Sequence, residues 1–326
     1  MKFFKILSFS LLILATFSCK KENENRWDVE IKNPIKKVSV IDLSGEYYNP
    51  TVNLDDFKKK YPWFQGSVPD DVYDERRKDT LELRIYKEAI SKINKGKLET
   101  DLAGLFSRIK NYFPKFQTPK VYLYSSVVDG QSVLDPIFLR EDQNMLFVDI
   151  SAFMGDQNKN YNGLDLYHQK SMNPENLVPK ISLYYASMMV LDNIDQQKFI
   201  DTLVYQGKIQ ILQDAFLPTT PDYLKINYNK QQYDWCLANE ANIWNYFVEN
   251  DLLFSPDPNL TERFVTVGPF SKFYTEVDRE SSPQVGIFTG WQICKQYLQN
   301  KPEEKLQTFL TKSATEIFKV SEYRPK

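Results

Sequence analysis

Residues 121–150, VYLYSSVVDGQSVLDPIFLREDQNMLFVDI, set the fold class of this chain. Three runs within the stretch, at 121–124, 133–139 and 145–150, are rich in β-branched and aromatic residues, which is typical of β-strands. Asp129-Gly130 and a polar segment between the second and third runs suit turns. Because the runs follow one another closely, the sequence predicts a small antiparallel β-meander in the N-terminal half.

Helical patterns flank this β-rich stretch. Before it, the sequence predicts a strand at 38–43 and helices at 54–61, 70–95 and 98–112. After it, the predicted helices lie at 176–190, 195–215, 229–250, 286–299, 303–310 and 313–319. Val72, Leu81 and Ile85 recur on one face of the 70–95 helix, which predicts that this face is buried. Strands early and helices late, without βαβ alternation, predict a mainly helical α+β fold with a helical C-terminal half.

The N-terminus has the pattern of a lipoprotein export signal. Lys2 and Lys5 make the start of the chain positively charged. An apolar segment follows and extends to Phe17, and Ser18-Cys19 comes directly after it. The apolar segment is shorter than the roughly 20 residues that a membrane-spanning helix needs. We therefore predict a signal peptide at 1–18, lipidation of Cys19 by fatty acids such as palmitate, and a flexible tether at 19–35. An uncleaved anchor is the alternative.

Residues 36–326 are predicted to form one globular α+β domain, with two lobes, 36–170 and 171–326, as the alternative. Hydrophobic residues make up 42% of the chain and aromatic residues 14%, enough to bury a large core. The formal net charge is −2 and no Lys/Arg-rich block occurs, which argues against a nucleic-acid partner. Cys236 and Cys294 lie in apolar helical contexts, which favours two free buried thiols over a disulfide.

The sequence lacks the motifs of common catalytic and cofactor sites. Its single histidine, His168, excludes a two-histidine zinc site and is predicted to lie in a surface loop. The 11 glycines form no phosphate-binding pattern. The Asn-rich segment 158–163 is similar to a calcium loop, but Gln169 stands where a bidentate Glu is needed, so a plain surface turn is predicted. We expect no metal, no cofactor and no nucleotide.

Aromatic residues mark the C-terminal half of the chain. They are Tyr233, Trp235, Trp244, Tyr246, Phe247 and Trp291. Aromatic residues at helical spacing most often pack in the core, whereas an exposed set would line a saccharide or peptide groove. We predict core packing for this set.

The C-terminal half contains one long distinctive block, Trp235-x-x-Ala238-Asn239-Glu240-x-x-Ile243-Trp244-x-Tyr246-Phe247-Val248-Glu249-Asn250. Further distinctive pieces are Gly207-Lys208-Ile209, Leu217-Pro218, Leu253-Phe254-Ser255, Pro269-Phe270-Ser271-Lys272-Phe273, Gly290-Trp291-Gln292-Ile293 and, early in the chain, Tyr61-Pro62-Trp63-Phe64. Together these pieces resemble the GldB family of gliding-motility lipoproteins. Ser282-Pro283-Gln284 departs from the family pattern, in which glycine follows the proline.

The resemblance implies a lipoprotein of gliding bacteria in the Bacteroidetes group, associated with the motor and the type IX secretion apparatus. It also implies a place in the cell envelope, on the outer membrane, where the lipid on Cys19 holds the protein. Other proteins of that machinery are the implied partners, and a non-enzymatic role without catalytic residues is expected. The family positions that would shape a core or a binding groove are Lys208, Asn239, Glu240, Trp244, Gly290, Trp291 and Gln292.

The C-terminal pattern is also similar to predicted zinc peptidases that carry HExxH and a later Glu-Gly pair. Val178-Pro179-Lys180-Ile181-Ser182 stands in place of the first motif and Tyr205-Gln206-Gly207 in place of the second, and neither segment offers an imidazole or a thiolate. This resemblance implies a degenerate metallopeptidase-like scaffold without its metal. Two alternative functions stay open, an envelope hydrolase that uses Glu240 and a module that binds glycan or peptide.

Overall fold

The computed structural model describes residues 25–64, 66–128, 131–191 and 197–326. The predicted signal peptide, Cys19 and residues 20–24 lie outside the described residues. The described part is mainly helical, and its N-terminal half contributes a small sheet. This confirms the predicted α+β class.

The sheet consists of β1 (Val40–Asp42), β2 (Lys120–Tyr124), β3 (Ile137–Arg140) and β4 (Met145–Asp149). The spatial order of the strands is β1-β2-β4-β3, so β3 is an edge strand. β2 runs parallel to both β1 and β4, whereas β3 pairs with β4 in the antiparallel sense. The prediction of an antiparallel meander is therefore wrong.

The sheet is mixed because the chain does not turn back directly after β2. In the part of the chain that the structure describes, five helices lie between β1 and β2 in the sequence, and β3, the next strand after β2, occupies the far side of the place that β4 later takes. β3 then forms the edge and returns to β4 through a tight turn, with Asn144 in the left-handed conformation. All five residues of β4 are buried, which is typical of a strand in a parallel sheet. The sequence of β4 therefore lacks the alternation of apolar and polar residues that marks a half-exposed strand.

The helices of the N-terminal half are α1 (Leu43–Tyr47), α2 (Leu54–Lys60), α3 (Asp70–Arg76), α4 (Thr80–Ser91) and α5 (Lys95–Tyr112). The single helix predicted at 70–95 is wrong, because the chain breaks between α3 and α4. Asp79 is the N-cap of α4, because its carboxylate accepts from the backbone N–H groups of Leu81 and Glu82. Val72 and Leu81, predicted to be buried, are 39% and 45% exposed.

Further helices follow β2 along the chain, most of them in the C-terminal half. They are α6 (Gln131–Leu134), α7 (Leu166–Gln169), α8 (Leu177–Met189), α9 (Phe199–Phe216), α10 (Asp222–Lys225), α11 (Lys230–Ala238), α12 (Glu240–Glu249), α13 (Asn259–Phe264), α14 (Val285–Asn300), α15 (Leu306–Thr311) and α16 (Ala314–Ser321). The helix predicted at 229–250 breaks at Asn239, which lies between α11 and α12.

Helix α9 lies at the centre of the fold and packs against α14, α8, α16 and α5. Its apolar residues face every direction, so almost the whole helix is buried. α9 and α14 cross where Gly207 meets Gly290, and a Cβ atom on either glycine would overlap the backbone of the other helix. The two glycines therefore allow a close approach of the helix backbones.

The N-terminal segment of the described chain packs against the C-terminal half. Trp27 is only 7% exposed and belongs to the main core. The guanidinium of Arg26 donates to the backbone carbonyls of Leu298, Pro302 and Glu304, at 2.9, 3.1 and 2.7 Å. Residues 25–27, assigned to the tether by the sequence, are thus part of the folded body.

Two further observations bear on the sequence predictions. Cys236 and Cys294 are both free and buried, which confirms the preference for two free thiols. Within the ranges that the structure describes, no helix has the length and apolar character that a bilayer crossing requires.

Candidate functional site

A charge cluster of Asp214, Asp222, Lys225 and Lys295 lies against Trp291 of α14. Asp214 is in α9, and its two oxygens accept from Lys225 Nζ at 2.8 Å and from the indole N–H of Trp291 at 2.8 Å. Lys225 also donates to Asp222 at 2.9 Å, and Asp222 accepts from Lys295 at 2.9 Å on its second oxygen. Negative and positive side chains therefore alternate through the cluster.

Aromatic groups complete the surroundings of the charge cluster. Lys295 Nζ lies 3.7 Å from the centroid of the Trp291 ring, in cation–π geometry. The hydroxyl of Tyr233 donates to Asp222 at 3.0 Å. Each of the four carboxylate oxygens of the cluster thus accepts at least one hydrogen bond.

The protonation of the charge cluster follows from its geometry. Burial raises the pKa of Asp222, but the nearby Lys295 and Lys225 outweigh that effect and bring the pKa down to about 2. Burial lowers the pKa of Lys225, but Asp214 and Asp222 reverse the effect and raise it. Both shifts favour the charged forms of Asp222 and Lys225, which are paired with each other.

A cavity of about 640 Å³ adjoins the charge cluster. Arg26 and Trp27 from the N-terminal segment line one side of it, and Pro218 and Leu298 line another. The ion pairs of the cluster join α9, α10 and α14 beside this cavity.

Trp291, Gly290 and Lys208 all lie in or beside the junction of α9 and α14. Trp291 is fully buried, and Gly290 forms the helix crossing. Lys208 Nζ donates to the carbonyls of Leu310 and Lys312, at 2.9 and 2.6 Å, and so caps the end of α15. Gln292 is half-buried on α14.

The remaining predicted positions, Asn239, Glu240 and Trp244, lie at the α11–α12 junction. Glu240 accepts from the hydroxyl of Tyr323 at 2.6 Å, beside a cavity of about 220 Å³. Trp244 is 8% exposed, and its ring contacts Tyr323 edge-on with a centroid distance of 5.0 Å. Asn239 donates to the carbonyl of Trp235 at 2.9 Å. The predicted positions therefore form two separate packing centres and do not converge on one site.

Burial of the tryptophans agrees with the core interpretation of the aromatic set. Trp291 and Phe247 are fully buried and Trp244 nearly so, whereas Tyr233, Trp235 and Tyr246 are half-buried. Tyr246 donates to the carbonyl of Phe273 and accepts from Arg263, so its polar end is also occupied.

The sequence analysis missed the four residues of the charge cluster. One signal was present in Asp214, which lies in the segment 209–216, where the other residues apart from Gln210 and Gln213 are apolar. A carboxylate among buried positions of a helix needs a partner. That partner, Lys225, lies in the separate short helix α10, and no periodicity connects it with Asp214.

The segments that stand in place of the peptidase motifs lie on α8 and α9. In the described part of the chain, no three residues of the types His, Cys, Asp and Glu are grouped so that they could hold a metal ion. The predicted surface-loop position of His168 needs correction, because His168 lies in α7, is half-buried and lines a cleft. In the Asn-rich turn, the amides of Asn158 and Asn160 donate to Glu88, at 2.6 and 2.9 Å.

Comparison with known proteins gives one match. The family model described as gliding motility protein GldB matches residues 24–325, nearly all of the chain after the predicted signal peptide. No curated protein and no solved structure matches the chain.

Proposed function

The chain belongs to the gliding motility protein GldB family, and on that basis we propose that it is a non-enzymatic lipoprotein of the gliding machinery that acts through protein–protein contacts. The family match over residues 24–325 carries the proposal, because it covers almost everything that remains after cleavage before Cys19. The proposed location is the outer membrane, and the proposed partners are components of the gliding and type IX secretion machinery.

A non-enzymatic role is supported by how the family positions are used. Trp291 bonds to Asp214 inside the core, Lys208 caps a helix, and Glu240 is held by Tyr323. General acid–base catalysis requires a titratable group that can reach a substrate. These side chains are instead engaged in contacts within the protein.

A short membrane tether is supported by the docking of residues 25–27. Five residues separate Cys19 from Asn25, and such a segment spans at most about 20 Å. The amide of Asn25 donates to the carbonyl of Pro218 at 2.8 Å, and Arg26 bonds to the end of α14. The face that contains Pro218 and Leu298 would therefore lie close to the bilayer, and the rest of the body would face away from it.

A contact surface is supported by exposed apolar side chains in the C-terminal half. Leu237, Val248 and Phe254 are 48%, 46% and 56% exposed. They lie on α11, on α12 and in the loop that follows α12. Of the three, Phe254 is of the aromatic type that is enriched in protein interfaces.

Photo-crosslinking in gliding cells tests the proposal. A benzophenone amino acid at Phe254 should capture a component of the motility or secretion machinery. The same group at Val72, which is exposed in the N-terminal half, serves as the matched control. The Cys19→Ala variant should leave the membrane fraction and fail to support motility, whereas Glu22→Gln, which keeps the cysteine, should behave like the wild type. Membrane attachment without Cys19, or motility without any specific crosslink from Phe254, would contradict the proposal.

A further inference from the structure

A cleft of about 500 Å³ lies between the edge strand β3, the helices α7 and α8, and the start of α14. Its size is in the range of sites for small molecules and short peptides. The residues that matter for its chemistry are Ile137, His168, Lys180, Tyr184 and Asn227. None of them belongs to the charge cluster beside Trp291. We call this site the Lys180 cleft.

Lys180 gives the cleft a cation without a counterion. It lies in the first turn of α8, and its Nζ is 5.5 Å from the centroid of the Phe153 ring. The ion pairs found among the described residues do not include Lys180. Burial lowers the pKa of Lys180 to about 8. A half-buried ammonium group that lines a cleft and has no counterion favours the binding of an anion there.

The other ionisable side chains that line the cleft do not act as a counterion for Lys180. His168 is half-buried, and burial lowers its pKa, so the ring is neutral at neutral pH. Asp135, two residues before β3, also lines the cleft, and the ion pairs of the described residues do not join it to Lys180. Tyr184 and Tyr228 are already engaged, since Tyr184 accepts from Leu139 N at 3.1 Å and Tyr228 donates to the carbonyl of Pro283.

Backbone groups of the β3 edge and one buried amide oxygen also face this region. β3 is an edge strand, so one row of its N–H and C=O groups lacks a strand partner. The N–H of Leu139 in that outer row is already bonded to the hydroxyl of Tyr184, so a peptide would pair with β3 beside Ile137, which belongs to the outer row by alternation and lines the cleft. Asn227 Oδ1 is buried and has no hydrogen-bond donor within the described structure.

We propose that the Lys180 cleft binds an extended peptide that carries a carboxylate, with the carboxylate on Lys180 and the peptide backbone along the outer edge of β3. Strand addition to a sheet edge gives affinity through backbone hydrogen bonds, and the charged recess gives specificity. The carboxylate is either the C-terminus of the peptide or an acidic side chain. This inference is independent of the proposed motility role, because it concerns only the chemistry of the cleft.

Peptide arrays probed with the detergent-solubilised, full-length lipoprotein test this inference. Each random heptapeptide would be made in three forms: with a free C-terminus, with an amidated C-terminus, and amidated with Asp and Glu replaced by Asn and Gln. The wild type should favour forms with a carboxylate at least tenfold over the form with none. A preference that survives amidation assigns the carboxylate to a side chain, and one that amidation removes assigns it to the C-terminus.

Two lysine variants test whether the peptides bind in the Lys180 cleft. Lys180→Gln should reduce binding of the selected peptides at least tenfold. Lys230→Gln, at a surface lysine that is 74% exposed, should leave binding unchanged. Peptides with N-methylated backbones should also bind at least tenfold less, because they cannot pair with β3. Equal binding of carboxylate and neutral peptides, or wild-type binding by a Lys180→Gln variant that is at least as stable to urea as the wild type, would overturn the proposal.

Discussion

The indole N–H of Trp291 donates to a carboxylate oxygen of Asp214 at 2.8 Å, and this bond joins α14 to α9 inside the core. The second oxygen of Asp214 binds Lys225, which brings α10 to the same place. Trp291, which the sequence analysis predicted to pack in the core, is fully buried there. The bond also accounts for an acidic residue within an otherwise apolar helix.

Asp214→Asn should therefore destabilise the protein strongly. The substitution leaves Lys225 buried with a weaker partner, and breaking a buried ion pair costs about 3–5 kcal/mol. Urea unfolding followed by tryptophan fluorescence measures the loss. The matched control is Asp234→Asn, which breaks the exposed pair with Lys230 and should cost at most about 1 kcal/mol. Similar losses in the two variants would contradict the structural role of the charge cluster.

The crossing of α9 and α14 gives a second stability prediction. A methyl group on Gly290 would overlap the backbone of Leu203, whereas one on Gly104 in α5 would meet no atom within 4 Å. Gly290→Ala should lower the free energy of unfolding by about 3 kcal/mol or more, since the two helices must move apart. Gly104→Ala should raise it by about 0.5–1 kcal/mol, because alanine is the better helix former. Urea unfolding of both variants checks the pair, and a stable Gly290→Ala protein would disprove the close crossing.

Lys180 makes stability depend on pH in the alkaline range. The amine titrates near 10.5 in an unfolded chain but at about 8 in the folded protein, because burial disfavours its charge. Between these pH values the unfolded chain holds more protons, so the contribution of Lys180 to the free energy of unfolding rises with pH. At pH 7 its charge lowers that free energy by on the order of 2 kcal/mol.

Lys180→Met should therefore stabilise the protein at pH 7, and the gain over the wild type should shrink toward pH 10. Urea unfolding of both proteins at pH 7, 8.5 and 10 measures this difference. Lys230→Met provides the control, since the exposed Lys230 should give no pH-dependent difference. A gain that is constant with pH would show that Lys180 is not buried as described.

The sequence predicted the long helices well and the breaks between helices poorly. α8, α9 and α14 follow their predicted ranges closely, because long apolar patterns identify helices of this kind. The breaks at Asp79 and Asn239 were missed. A polar residue on the solvated face of a helix and one that begins a new helix look the same in a single sequence, and only the side-chain bonds of Asp79 distinguish them.

The pairing of the strands and the buried ion pairs could not be predicted from the sequence for a different reason. Residues 121–124 and 145–149 were correctly predicted as strands, but their parallel pairing depends on where the chain goes between them. Likewise, Asp214 and Lys225 become a buried pair only when α9 and α10 meet. Contacts between distant segments leave no local pattern, so the charge cluster could be located only in the folded protein.

A substitution at Glu240 distinguishes the proposed function from the hydrolase alternative. The carboxylate of Glu240 accepts from the hydroxyl of Tyr323, and the amide oxygen of glutamine accepts from the same donor without a charge. Glu240→Gln should therefore keep the fold, with a change in the free energy of unfolding of at most about 1 kcal/mol. Because a non-enzymatic protein does not need the carboxylate, cells with this variant should glide at the wild-type rate.

The control for this measurement is Tyr323→Phe, which removes the donor, leaves Glu240 ionisable, and should also preserve gliding. Gliding would be scored at matched protein levels in the membrane fraction, so that loss of the folded protein is not mistaken for loss of chemistry. If Glu240→Gln abolishes gliding while Tyr323→Phe does not, the carboxylate itself is required. Hydrolysis of an envelope substrate by the purified wild type but not by Glu240→Gln would then assign Glu240 as an acid or a base and contradict the non-enzymatic proposal.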